Sequence, residues 1–128
     1  MSKFSEQRER LERAYKIANR HYQRSLAELA DARFYESEAR DESGWQWIVS
    51  ELREQQPDQA AEVIASRRKH GDRSSFNDRS KQNAIARHNR ALIKLSKVKE
   101  RVKQHDKKST SSLLKLYNYL DSIGEPVV

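Results

Sequence analysis

Apolar residues recur along this chain at the spacing of a helix. From Lys81 to Lys108, the residues Ala84, His88, Ala91, Leu95, Val98 and Val102 follow alternating steps of four and three, which keeps their side chains on one helix face. Near the N-terminus, Phe4, Leu11, Ala18, Ser25, Ala32 and Ala39 share one heptad column, and Tyr15, Tyr22 and Leu29 share its partner column. No Gly or Pro occurs before Gly44. The pattern predicts a first helix of about 35 residues that needs a partner along its length. Ser2 or Ser5 is its expected N-cap, with Glu6 and Glu9 in the first turns. Small seam residues allow close approach, while Tyr15 and Tyr22 fill wider gaps. Core packing is the reading preferred for them over stacking platforms for bases.

Gly44 marks a bend or a break, after which Asp41 or Ser43 caps a second segment carrying Trp45, Ile48, Val49 and Leu52 on one face. Trp47 lies off that face. It is a candidate exposed anchor for a protein partner, set against packing under a neighbouring helix. Pro57 suits the first turn of a short helix with Ala60, Ala61, Ile64 and Ala65 on its apolar side, and Gly71 suits its left-handed cap. GDRSSFNDRS follows as a loop, whose amides near Ser74, Ser75 and Asn77 offer a weak phosphate cradle at the next helix start. HDKKSTSS resembles a hinge with Ser109 or Thr110 as a cap. A last helix then presents Leu113, Leu116, Tyr117 and Leu120, with Ile123 beside them, and stops at Gly124 and Pro126. It closes the bundle or makes a homodimer contact.

The expected fold is all-α: a long N-terminal helix packed in an antiparallel bundle or coiled-coil hairpin with a long basic helix, plus short helices. At 128 residues the chain is expected to be one domain, with an arm over 1–56, a short helix and basic loop over 57–80, the basic helix over 81–108 and an apolar helix over 109–128. Hydrophobic and charged residues each make up 35% of the chain, with three Gly and two Pro, which suits long helices better than sheets.

Charge changes the picture. Residues 67–108 hold fifteen Lys and Arg against four acids, whereas residues 1–66 hold ten against thirteen. Within the basic helix, Arg87, Arg90, Lys94, Lys97, Arg101 and Lys108 form a stripe whose centre falls about 110 degrees from the seam, so it flanks the packed face. At ~1.5 Å per residue the stripe runs roughly 32 Å, near the ~34 Å of one duplex turn. A solvated helix face is the plain alternative, but such faces usually mix signs. Phosphates neutralised by such a row release counterions.

The candidate nucleic-acid contacts are therefore Arg67, Arg68, Lys69, Arg73, Arg79 and the stripe from Arg87 to Lys108. No base-reading motif accompanies them, so the expected activity is that of a non-enzymatic accessory protein contacting the backbone of DNA or RNA. The alternative is a helical regulator or inhibitor, phage or mobile-element encoded, that docks its basic face on an acidic protein surface. A homodimer pairing the acidic patches of the first helix with the basic helix of a second copy is a structural version of the same charges.

Catalytic patterns are missing. The chain has no Cys and no HExxH, its four His are scattered, and no His follows an Arg by five to seven residues as in HEPN-type ribonucleases. His88 sits on the seam and reads as a packed histidine before it reads as a ligand. No cofactor or metal site is expected. The N-terminus lacks the apolar core of a signal peptide and no apolar run approaches a membrane span, so a cytoplasmic location is expected.

Overall fold

A computed structural model describes residues 3–124, and these residues contain three helices and no strand. Helix α1 is Lys3–Gln55, α2 is Pro57–Lys69 and α3 is Asp78–Ser122. The fold is all-α, with α1 packed against α3 in a helical hairpin. The chain divides into two compact units: unit 1 joins Met1–Asp31 to Ser96–Val128, and unit 2 is Ala32–Leu95.

In unit 1 the first half of α1 pairs with the second half of α3. The pairing is antiparallel, since Glu28 meets Arg101 while the earlier His21 meets the later His105. Ser25, Val98, Ser109, Leu116 and Leu120 are buried along the seam. The Ser25 hydroxyl donates to the Tyr22 carbonyl at 2.6 Å, which lets a polar residue sit in a close-packed position without an unmet donor.

The expected hinge at HDKKSTSS is not there. Beyond Val102 the steps of three and four continue through His105, Ser109, Ser112 and Leu116, so α3 runs on unbroken. Polar residues occupy the seam for two turns, which hides the period from a purely apolar reading. Thr110 is inside the helix and donates to the Asp106 carboxylate one turn earlier.

Unit 2 adds α2 and the following loop to the helix pair. Ala32, Ala39, Val49, Ala60, Phe76 and Ala84 form its buried apolar core. Of the bend or break expected at Gly44, the break does not form, because α1 passes through it as one helix of 53 residues. Ser43 and Gln46 extend the heptad past the glycine, so tertiary packing outweighs a propensity penalty of about 1 kcal/mol. Asp41 and Ser43 are helix interior, as is Ser5. The expected Ser2 cap, the Phe4 side chain and Pro126 lie outside the described residues.

Pro57 opens α2, where its missing N–H removes no helical bond. Gly71 closes it at φ 93, donating to the Arg68 carbonyl while the Asp72 amide donates to Arg67, the paired bonds of a left-handed cap. Asn77 caps α3, accepting the Ser80 amide on its side chain at 2.8 Å. The loop is tied to α1 by Gln46, whose Nε2 donates to the Ser75 carbonyl at 2.7 Å, and by Arg53, which donates to the Phe76 carbonyl.

Candidate nucleic-acid interface

The seam of α3 turns one side inward and thereby sets the stripe on a flank. All six residues, Arg87, Arg90, Lys94, Lys97, Arg101 and Lys108, are exposed. Arg101 is paired with Glu28 of α1 at 3.4 Å, both side chains being about half exposed. Such a surface pair contributes on the order of 0–1 kcal/mol and is easily exchanged for another anion. Among the described residues the other five stripe cations form no ion pair.

The stripe is shared between the units. Arg87, Arg90 and Lys94 belong to unit 2, and Lys97, Arg101 and Lys108 to unit 1. Their electrostatic settings differ. In unit 2, Arg87 lines a depression of about 320 Å³ with Ser74, Ser75, Asn83 and Glu42, so a carboxylate shares the site. In unit 1, Lys108 lines a larger concavity of about 550 Å³ with Lys107, Lys115 and His21, and no acidic residue lines it.

Among the cations expected around α2 and the loop, Arg68, Lys69, Arg73 and Arg79 are exposed, and none forms an ion pair among the described residues. Arg67 is different and is withdrawn from the candidate contacts. Its guanidinium reaches Asp72 through Nη2 at 2.5 Å and through Nε at 2.7 Å, and it lies 4.3 Å from the Trp45 ring centroid. A planar cation held by a carboxylate and an aromatic face is a structural clamp on the α2 terminus. The Ser74 hydroxyl and amide hold the Asp72 carboxyl down at about 2 against an opposing effect of burial, with a lesser contribution from the Arg67 guanidinium. The run of basic residues could not reveal this, because the clamp depends on the turn at Gly71 bringing Asp72 back over Arg67.

The loop amides are also engaged. Ser74 N–H donates to Asp72 Oδ1, and Ser80 N–H to Asn77, so two donors near the start of α3 are already satisfied by side chains. Of the amides named for the phosphate cradle, that of Ser74 is thus already engaged.

Trp47 is 55% exposed, so it is not packed under a helix. His88 lies on the seam, its Nε2 buried without a hydrogen bond and 3.8 Å from Glu36 Oε1. Among the described residues no three His, Asp or Glu side chains come together in a manner that could hold a metal ion. No helix of the described residues is long and apolar enough to cross a membrane.

Sequence reasoning missed the concavity of unit 1. A signal existed: His21, with Ala14 one heptad before it, flanks the α1 seam as Lys108 and Lys115 flank that of α3. Comparisons of the chain with protein-family models, with curated proteins and with solved structures each return no match.

Proposed function

We propose that the chain is a non-enzymatic nucleic-acid-binding accessory protein that contacts the phosphate backbone through α3 and the loop before it. The observation that carries this reading is the row of five stripe cations left exposed and unpaired among the described residues of one continuous helix. Packing holds the backbone of that helix in place, so phosphate contacts cost only side-chain ordering. Arg68, Lys69, Arg73 and Arg79 extend the contact surface, and Arg67 positions them by clamping the end of α2. Contacts of this type carry little sequence preference and fall off steeply with salt.

The test is an anisotropy titration against duplex DNA, single-stranded DNA and RNA at two ionic strengths, with the native mass measured in parallel. Charge reversal of Arg87, Arg90, Lys94 and Lys97 to Glu is expected to abolish binding while the far-ultraviolet helical signal is kept. Binding that survives this change removes the stripe as the contact surface.

Trp47 favours a second reading. An exposed Trp is a typical energetic anchor of protein interfaces, and a helical regulator docking on an acidic protein would use Trp47 together with basic residues. A preparation free of nucleic acid, with a stoichiometric protein partner lost on Trp47→Ala, would establish that reading over the first.

A further inference from the structure

The concavity of unit 1 combines features that the stripe alone does not need. Lys107, Lys108 and Lys115 bring positive charge to it, and the consecutive Ser111 and Ser112 add two hydroxyls. Its floor is apolar, built from Ile17 and two alanines, and Ile17 remains 48% exposed. His21 lines the same space and is stacked on His105, with centroids 5.8 Å apart and planes within 19°. A volume of about 550 Å³ falls within the roughly 300–1,000 Å³ of small-ligand sites.

We infer that this concavity is a subsite for one unstacked nucleotide of a single-stranded nucleic acid, an inference that rests on the nucleic-acid reading above. Lysines and serine hydroxyls suit the phosphate, the former by charge and the latter as hydrogen-bond donors. Ile17 and the imidazole stack suit the flat face of a base, which has π character whatever its identity. A duplex keeps its bases inside the stack and presents only backbone at its surface, so it leaves an apolar floor unused. A single strand can place a phosphate on the lysines and a base on the floor at once. The absence of a carboxylate from the lining distinguishes this site from the unit 2 depression, where Glu42 repels the same ligand.

The experiment uses the full chain and a fluorescent single-stranded dT 20-mer, a duplex of equal length and ATP as competitors. Ile17→Ser is expected to weaken the single strand roughly fivefold or more, the lower range of one stacked base, and to leave duplex affinity unchanged. Lys108→Gln with Lys115→Gln is expected to lower the salt dependence of single-strand binding by about 0.7 per lost phosphate contact. Helical content measured on each variant guards against misfolding, and the exposure of Ile17 and the lysines makes them tolerant positions.

Single-strand affinity unmoved by both changes, but lost on charge reversal at Arg87, Arg90 and Lys94, would overturn the subsite while leaving the nucleic-acid reading intact. Wild-type chain that binds no nucleic acid overturns both. ATP competing as well as the strand at equal nucleotide concentration would overturn the strand assignment in favour of a free nucleotide.

Discussion

Unit 2 brings the acidic stretch of α1, with Glu36, Glu38, Asp41 and Glu42, into the same compact body as the basic start of α3. Unit 1 brings the basic start of α1, with Arg10, Arg13, Lys16, Arg20 and Arg24, together with the basic middle of α3. Unit 2 therefore holds twelve basic residues against ten acidic, and unit 1 holds fourteen against nine. A charge imbalance along the sequence is thus redistributed by which stretches the hairpin sets together. Residues 67–108 contain the densest positive run, yet part of it meets acids within its own unit, and the acid-free concavity lies in the other. The cores differ in parallel. Unit 2 is closed by α2 and Phe76, whereas unit 1 relies on a two-helix seam with Ser25 and Ser109 in it.

The strongest way to probe this contrast is to place a charge in each core. Val98 of unit 1 and Val49 of unit 2 are the largest fully buried side chains. Changing either to Asp buries an unpaired carboxylate, with an expected cost of about 4 kcal/mol or more. Hydrogen exchange should show protection falling first in 96–124 with its α1 partner for Val98→Asp, and first in 32–95 for Val49→Asp. Uniform loss in both variants would mean that the units open as one.

A smaller effect separates the buried polar residues. Gln46→Ala leaves the Ser75 carbonyl without its donor and should cost about 1–3 kcal/mol by urea denaturation. Ser25→Ala in unit 1 removes only a bond to a carbonyl of its own turn, and is expected to cost less than about 0.5 kcal/mol. Equal costs would break the comparison.

Gly44→Ala is expected to stabilise the chain by about 0.5–1 kcal/mol. A Cβ at this position meets nothing within 4 Å, and alanine loses less backbone freedom in a helix. Destabilisation on thermal melting would mean that the glycine has a role in the free chain beyond the helix.

The smallest effect is that of Asp72. Its carboxyl titrates at about 2 in the folded chain, below the ~3.9 of an unfolded one. A depressed value means that the carboxylate form stabilises the fold above pH ~4, and that this contribution fades as pH falls from about 4 towards 2. Asp72→Asn should therefore lower the melting temperature slightly at pH 7, with the difference from wild type shrinking below pH ~4. A difference that persists at pH 2 would show that the clamp does not depend on the charge.

Much of this was readable from residue patterns. The 4–3 spacing from Ala84 to Val102 and from Leu11 to Ala39 identified the seam, and Pro57 and Gly71 identified the ends of α2. Because a flank residue's angle from the seam follows from its spacing, the exposure of the stripe from Arg87 to Lys108 was legible as well. The two misplaced boundaries, at Gly44 and at Ser109, share a cause. One glycine or two polar seam turns carry a local penalty of about 1 kcal/mol, and a continuous partner helix outweighs it.

What periodicity establishes is which side of each helix is buried, because a fixed rotation per residue makes that a local property. Which carboxylate meets which cation is not local. Glu28 reaching Arg101 and Asp72 turning back on Arg67 depend on the antiparallel register and on one left-handed turn. The antiparallel hairpin sets the first pairing and the turn at Gly71 the second, so the fold, and not the order of charges, decided which positive groups stay open to a partner.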